Sequence, residues 1–474
     1  MPFPTKPETK ILHQGDELIR SIKTLLWGNS VKEDVFKRWA QGFYFSPDEP
    51  TALIQEKGGP CAVIAPVQAY ILKVLLSETD ISNWRSINQE KSCHLLVQAS
   101  VEILKQAAGE KVPKFVIVYM DCKLSNKNNE GESRLSGNVS KTEHEEEKNV
   151  ENKENEEENE ELMTKDVNEE CMTMESDSFH SQLRLFTTNT SEQVEEFLVE
   201  RLEMLKAKYG ILLLLYSVIG TKGISEICSE MSDPSESMID STYGYGNQSL
   251  INLMLTGRAV SHVWDHDQDI GGLKLRGIDK QNTIGFLALL EHLCYCEVGT
   301  FLKSPSYPIW VLGSETHLTV LFSNENRLVS PETPADQAKR IFRKFDPEGN
   351  NFIPANLLQD VLAELGLVTD PEYVNVMRKK LDSENLGIIL RNNFMDEFFP
   401  EEPRTCPDTF PLYHYNGLRH SNPNNKVMYH KGQAVLLECT IKAIMESNPM
   451  LTVLQTKWPR IEIQWDIGQN PSLN

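Results

Sequence analysis

The stretch QEKGGPC at residues 55–61 has the composition of a cysteine nucleophile site. An acyl-transfer cysteine reacts as a thiolate, and the unpaired amide groups at a helix N-terminus favour that anion. Cys61 opens an apolar run of helical character, AVIAPVQAYILKVLL, which would hold the sulfur rigidly in the core. Gly58, Gly59 and Pro60 predict a tight turn where a substrate backbone can pass close to the sulfur. The alternative is that Cys61 is a small buried hydrophobe, the common fate of a free cysteine.

Gln55 and a distant histidine would complete such a site. Gln55 lies six residues before Cys61, where papain-like enzymes place the glutamine whose amide donates to the oxyanion. His317 begins an apolar strand in SETHLTVLF, far along the chain from the cysteine, as such cysteine–histidine pairs require. His262 and His266, in SHVWDHD, are the competing histidines. The pattern favours His317 as the general base.

The polar group that would orient His317 is not fixed by the sequence. Glu315 lies two residues earlier, on the same face if the strand is regular, and Thr319 is the polar alternative. Both candidates depend on how far the strand extends around His317, and the pattern does not choose between them.

A mixed α+β fold is predicted to position these residues. EDVFKRWAQGF has apolar residues at helical spacing, and SEQVEEFLVERLEMLKAKYG is typical of an amphipathic helix with Ser191 as its N-cap. Residues 112–120 and 309–312 are predicted to be buried strands, and Gly313 begins the turn into a strand at 317–322. The segment TIGFLALLEHLCY is predicted to be helical.

Changes in composition divide the chain into five segments. Residues 1–122 would form the first part of a catalytic domain with the cysteine helix, and 179–332 its second part with the histidine strand. Between them, 123–178 has few apolar residues and cannot repay its ordering entropy by burial, so a disordered acidic insert is predicted. Residues 333–402 would form a helical EF-hand-like pair, and 403–474 would add short strands, such as RIEIQW, packed on the core.

The net charge limits the class of binding partner, and the cysteine usage indicates the cellular compartment. A net charge of −22 argues against nucleic acid or an anionic membrane surface as the main partner and favours a ligand with basic character. The most apolar run, at 209–220, is too short to span a bilayer. Nine scattered cysteines and an N-terminus without the plan of a signal peptide predict an intracellular protein, in the nucleus, the cytoplasm or both.

No metal or cofactor is predicted. Two EF-hand-like loops begin at Asp346 and Asp382, but both lack the carboxylate at position twelve, where Leu357 and Asn393 stand. We therefore expect greatly weakened calcium binding and interpret the pair as a structural unit or a site for a protein partner. A histidine and two cysteines at 292–296 resemble zinc ligands, but no second cluster completes a tetrahedral site.

Several long segments resemble the MINDY deubiquitinases, in particular their MINDY-3/4 branch. They are QEKGGPCAVIAPVQA, YGNQSLINLMLTGRAVSHVWD, KSPSYPIWVLGSETHLTVLF and the closing TKWPRIEI with PSLN. The resemblance implies a papain-like fold and hydrolysis of isopeptide bonds at the C-terminal glycine of ubiquitin. It also implies a preference for polyubiquitin linked through the lysine at position forty-eight of ubiquitin. Its motifs assign Cys61 as nucleophile, His317 as general base and Gln55 as oxyanion donor.

Two other functions stay open at this stage. One is a catalytically silent scaffold that keeps the fold and binds ubiquitin, and the intact Gln55, Cys61 and His317 count against it. The other is a calcium-responsive adaptor that works through the EF-hand-like pair, which Leu357 and Asn393 disfavour.

Overall fold

The fold mixes helix and sheet, in agreement with the predicted α+β class. The computed structural model describes residues 8–78, 83–109, 113–120, 174–330, 333–346, 350–400, 406–437 and 448–474. Most of the predicted acidic insert lies outside the described residues.

The helices range in length from 4 to 20 residues. In chain order they are α1 (Glu8–Trp27), α2 (Glu33–Trp39), α3 (Cys61–Glu78), α4 (Gln89–Ala108), α5 (Ser176–Gln182), α6 (Ser191–Glu200), α7 (Leu202–Lys206), α8 (Gly210–Lys222), α9 (Ile224–Glu230), α10 (Gln248–Thr256), α11 (Leu289–His292), α12 (Thr300–Lys303), α13 (Pro334–Lys344), α14 (Leu358–Glu364), α15 (Pro371–Leu381), α16 (Arg391–Phe398) and α17 (Pro449–Gln455).

The strands form one larger sheet and several pairs. They are β1 (Tyr44–Phe45), β2 (Leu53–Ile54), β3 (Phe115–Met120), β4 (Leu183–Thr188), β5 (Gln268–Ile270), β6 (Leu273–Leu275), β7 (Gly285–Ala288), β8 (Ile309–Gly313), β9 (Leu318–Phe322), β10 (Phe352–Pro354), β11 (Ile388–Leu390), β12 (Thr409–Tyr415), β13 (Tyr429–Leu436) and β14 (Ile461–Trp465). Six of them make a sheet in the order β14-β13-β12-β9-β8-β7, in which only β7 and β8 run parallel.

Helix α3 is the core element that joins the helical layer to this sheet. It contacts the helices α4 and α10 and the strands β8 and β9. Its length and composition would also allow it to cross a membrane, but 78% of it is buried inside the protein. The bent pair α8 and α9 passes the same test when counted as one span. The helix is continuous through Pro66, although a proline removes one hydrogen bond from a helix interior.

Most of the predicted strands are confirmed, and the errors lie in short apolar runs. The strands predicted at 112–120, 309–312 and 317–322 correspond to β3, β8 and β9. Ser191 is the first residue of α6 and not its N-cap, and that helix ends at Glu200 instead of running on to Gly210. The segment predicted as one helix after Thr283 begins instead with β7, followed by the single turn α11.

Two predicted boundaries are refined by the described residues. Residues 174–178, assigned to the insert, belong to the fold, because Ser176 begins α5 and its N–H donates to the carboxylate of Glu33. Residues 334–398 form two helix–loop–helix units around an apolar cluster of their own. Their loops are joined by β10 and β11, where Ile353 lies opposite Ile389.

Candidate active site

Cys61 is the first residue of α3, and its thiol is buried. The N–H groups of Val63 and Ile64 bond to the carbonyl of Pro60 at 2.9 and 3.0 Å, which closes the first turn of the helix at the cysteine. Burial raises the pKa of the Cys61 thiol to about 11, although backbone N–H groups, first among them that of Leu318, oppose the rise. In this arrangement the thiol is protonated at neutral pH and donates towards Gly59 O, 3.8 Å away.

A tight turn between β8 and β9 brings the backbone of the His317 segment to Cys61. Gly313 lies opposite Leu318 in the ladder, and Ser314 closes the turn between them. The His317 N–H donates to Ser314 Oγ at 3.0 Å, and the Ser314 N–H donates to His317 O at 3.0 Å. Because the next N–H along the chain, that of Leu318, faces the Cys61 sulfur, this turn brings the backbone that carries His317 to the N-terminus of α3.

The orienting partner of His317 is Asn416, which follows β12. Asn416 Oδ1 lies 3.0 Å from His317 Nε2 in a buried contact. The same oxygen accepts the N–H of Leu418 at 3.0 Å, and Asn416 Nδ2 donates to Ser472 O at 3.0 Å. These two neighbours assign the amide orientation, so His317 Nε2 must carry the proton and Nδ1 keeps its lone pair. That lone pair is what a general base needs to accept the thiol proton.

The imidazole is neutral in this arrangement. Burial lowers the pKa of His317 to about 4, against an opposing contribution from its hydrogen bond to Asn416, and the charge of His420 lowers it further. Together with the protonated thiol, this makes Cys61 and His317 a neutral pair in the free protein. Proton transfer between them therefore has to accompany a charge that develops on substrate.

Gln55 lies against the segment that carries Asn416. Its N–H donates to Gly417 O at 2.8 Å, and it forms a parallel bridge with Leu418. Its side chain is buried, and Nε2 donates one hydrogen to Lys57 O at 3.0 Å. An amide nitrogen carries two hydrogens, so the second is available to an oxyanion.

Gln41, which follows α2, holds the turn before Cys61 through hydrogen bonds to its backbone. Gln41 Oε1 accepts the N–H of Lys57 at 3.3 Å, and its Nε2 donates to Lys57 O at 3.0 Å. Gly59 has φ +129°, and an added Cβ would lie 3.0 Å from the indole nitrogen of Trp39, so glycine is required there. Gly58 is exposed and has no heavy atom within 4 Å of where its Cβ would be, which leaves this part of the approach open.

The two residues considered for orienting His317 do not do so. Glu315 is exposed in the turn, and Thr319 is buried with its hydroxyl unbonded among the described residues. Neither takes the position of Asn416, because both lie on the hairpin itself whereas Nε2 points to the neighbouring strand. Asn416 was missed, because only the pairing of β12 with β9 brings it to His317.

The competing histidines are engaged elsewhere. His262 stacks on Trp264 with ring centroids 3.9 Å apart, and its Nε2 lies 3.2 Å from Ser232 Oγ. His266 packs edge-on against Phe301. Neither ring forms a described hydrogen bond with Cys61 or Gln55.

The two helix–loop–helix loops keep their turns through different residues. Asn351 and Gly387 both have left-handed backbones, with φ of 64° and 76°. The carboxylates of Asp346 and Asp382 each accept two N–H groups from their own loop. Within the described residues, no group of three or more His, Cys, Asp or Glu side chains is placed to hold a metal ion.

Sequence comparison gives one consistent family. The profile described as "Deubiquitinating enzyme MINDY-3/4, conserved domain" matches residues 23–342. A Drosophila melanogaster protein named ubiquitin carboxyl-terminal hydrolase MINDY-3 homolog is 51% identical over 96% of this chain and 83% of its own. Human ubiquitin carboxyl-terminal hydrolase MINDY-3 is 43% identical over 97% of this chain and 100% of its own. A mouse protein named probable ubiquitin carboxyl-terminal hydrolase MINDY-4 is 30% identical over 70% of this chain and 40% of its own. No solved structure matches.

Proposed function

The chain belongs to the MINDY-3/4 family of deubiquitinating enzymes, and from that premise we propose that Cys61 is its nucleophile, on a papain-like core. The family makes it a thiol-dependent ubiquitin carboxyl-terminal hydrolase. The observation that carries the residue assignment is the buried hydrogen bond from His317 Nε2 to Asn416 at 3.0 Å, because it leaves Nδ1 unprotonated on a residue whose neighbour, Leu318, contacts Cys61.

The acylation step uses these residues as follows. His317 Nδ1 takes the proton of the Cys61 thiol as the sulfur attacks the carbonyl carbon of the terminal glycine of ubiquitin. The carbonyl oxygen becomes an oxyanion that accepts the second Nε2 hydrogen of Gln55 and the N–H of Cys61. The imidazolium then donates its Nδ1 proton to the departing lysine amine, and the C–N bond breaks to leave a thioester.

Deacylation reverses these roles. Water loses a proton to His317 Nδ1 and attacks the thioester carbonyl, and the same two donors hold the second oxyanion. The C–S bond breaks, and the sulfur recovers the proton from the imidazolium. Asn416 keeps its hydrogen bond to Nε2 in both steps, so the ring retains its orientation while it changes charge.

The approach to the sulfur supports a thin, flexible substrate. Ubiquitin ends in a flexible, arginine-containing tail that finishes in two glycines, which suits the open backbone at Gly58 and the tight turn at Gly59 and Pro60. The net charge of −22 favours a tail of basic character. We also propose a preference for polyubiquitin linked through the lysine at position forty-eight of ubiquitin, on the strength of the resemblance to the MINDY deubiquitinases.

We propose a role separate from catalysis for the helix–loop–helix pair. Its β10–β11 pairing and its left-handed loop residues support a degenerate EF-hand-like unit. Leu357 and Asn393 stand where calcium needs a carboxylate, so the unit serves as structure or as a site for a protein partner. An intracellular location, in the cytoplasm, the nucleus or both, completes the proposal and is in keeping with the free thiols of the described cysteines.

The test is cleavage of long ubiquitin chains of defined linkage by the wild-type protein, with Cys61→Ala and His317→Ala beside it. Cleavage by the wild type alone supports the assignment, and the linkage panel measures the preference. If Cys61→Ala cleaves as well as the wild type, the nucleophile is wrongly assigned. If no form cleaves but all retain chains on a column, the protein is a ubiquitin-binding scaffold.

A further inference from the structure

The segment at residues 471–474, here called the strap, contacts Asn416 and the turn that presents its hydrogen-bond partner, His317. Ser472 O accepts the Nδ2–H of Asn416 at 3.0 Å. Two residues later, Asn474 Oδ1 accepts hydrogen bonds from the hydroxyls of Ser314 and Thr316, which lie in the turn that presents His317. One short segment therefore holds the histidine turn and the asparagine from the same side.

The strap is anchored by its own fold and by one apolar side chain. Leu473 is 4% exposed and belongs to the apolar cluster that includes Leu312 and Trp465 on the sheet. Ser472 Oγ accepts the N–H of Asn474 at 3.1 Å and donates back to its carbonyl, which keeps the segment in a compact turn. Buried Leu473 therefore anchors the strap to the sheet. The polar atoms of Ser472 and Asn474, on either side of it, contact Asn416 and the turn that carries His317.

A cavity makes the strap contact more important for Asn416. A space of about 280 Å³ lies between the strap and residues 416–423, and its lining includes Asn416, Asn422 and Ser472. Part of the surroundings of Asn416 is therefore open space and not packed side chains, and within the described part of the chain Ser472 O is the acceptor of its Nδ2–H. An amide in such surroundings is oriented by its hydrogen bonds.

We propose that the strap positions the catalytic histidine by selecting its tautomer. With Ser472 O accepting from Nδ2 and the Leu418 N–H donating to Oδ1, Asn416 offers Oδ1 to His317, and Nδ1 of the ring stays a proton acceptor. If the strap is displaced, one of these two hydrogen bonds is lost and only the Leu418 N–H opposes rotation of the carboxamide, which would present Nδ2 to the ring and favour the tautomer protonated on Nδ1. That tautomer cannot accept the thiol proton.

The proposal rests on the roles given above to Cys61 and His317, so its test uses a chemical readout besides ubiquitin cleavage. The rate of Cys61 alkylation by iodoacetamide is measured against pH, with the Cys61 peptide quantified by mass spectrometry. The variants are Leu473→Asp, which expels the anchor, and Asn474→Ala, which removes two hydrogen bonds from an exposed residue. Asn470→Ala is the matched control, because it makes the same exchange at an exposed residue just before the strap.

Loss of the strap should slow alkylation at neutral pH and move its pH profile towards that of an uncoupled thiol. We expect roughly a tenfold fall for Leu473→Asp and about threefold for Asn474→Ala, the effects of losing hydrogen bonds of ordinary strength. In ubiquitin cleavage, kcat should fall by similar factors with KM unchanged. Asn470→Ala should match the wild type in both assays.

Each outcome has a distinct meaning. Wild-type alkylation profiles for both strap variants, measured on folded protein, would overturn the proposal even if the wild type cleaves ubiquitin. An altered profile in Asn474→Ala, with cleavage by no form of the protein, would support the strap and refute the proposed activity. Equal effects of Asn470→Ala and Asn474→Ala would show a general loss of structure and also overturn it.

Discussion

Replacing Gly417 by alanine should destabilise the fold, because this position has no space for a side chain. A Cβ atom on Gly417 would lie 2.6 Å from Tyr415 Oη and 3.4 Å from Gln55 Cβ, and real Cβ atoms essentially never come within 3.0 Å of another heavy atom. The phenol would have to move, although its hydroxyl donates to Leu53 O at 2.6 Å in a buried contact. Overpacking of this kind costs about 1–3 kcal/mol in the free energy of unfolding.

The same substitution should slow catalysis through Gln55. Gly417 O accepts the Gln55 N–H at 2.8 Å, so a shifted residue 417 carries the glutamine with it. A misplacement of about 1 Å at a catalytic group can cost on the order of 100-fold in rate. We expect kcat to fall by roughly 10- to 100-fold.

A double-mutant cycle with Tyr415→Phe tests the cause. Removing the hydroxyl relieves the closest contact, so the double variant should lose less stability than the sum of the two single variants. Denaturant unfolding gives the free energies, and steady-state cleavage of ubiquitin chains gives kcat. Gly58→Ala is the matched control for stability, because no atom lies within 4 Å of its added Cβ. A strictly additive cycle, or a Gly417→Ala protein that unfolds and reacts like the wild type, would refute the argument.

The buried histidines, Gly58 and Asn351 each give a further prediction. Burial lowers the pKa of His317 to about 4 and that of His414 to about 3. Their contribution to stability should be complete above the ordinary pKa of 6.5 and should be lost as the pH falls from there to about 4 for His317 and about 3 for His414, because the unfolded chain takes up protons that the folded chain does not. Unfolding midpoints at a series of pH values check this, and a flat acid limb would contradict it. Gly58→Ala should raise KM for ubiquitin chains without changing the unfolding free energy, so an unchanged KM would remove Gly58 from the substrate approach. Asn351→Ala should cost about 1 kcal/mol more in thermal unfolding than Asn351→Gly, because φ is 64° there, and equal melting would contradict a left-handed requirement.

The cysteine side of the site could be predicted because it is local. Gln55 and Cys61 are separated by one turn, and the glycines, the proline and the apolar helix that position them are contiguous in sequence. The strand–turn–strand around His317 could also be predicted, because a glycine and polar residues interrupt two apolar runs. In both cases the decisive forces act between near neighbours.

The orienting asparagine could not be predicted because sheet order determines it. Asn416 is 99 residues from His317, and the two meet because β12 pairs with β9, with Tyr415 opposite Val320. Nothing local to either strand specifies that neighbour. The wrong assignment of Gly285–Ala288 as helix has a related cause, because a run of four buried apolar residues fits either structure until its partner β8 is known.

Residues 415–418 connect the proposed proton acceptor, His317, to the proposed oxyanion donor, Gln55. Asn416 fixes the ring of His317, while Gly417 O and the bridge at Leu418 fix the backbone of Gln55. Both groups therefore depend on how β12 leaves the sheet, and they cannot shift independently. The cysteine helix alone leaves a buried, protonated thiol whose pKa is raised to about 11. The proposed base and the proposed oxyanion donor are both held by the segment that follows β12, so the competence of the site depends on strand pairing as well as on the helix that carries the nucleophile.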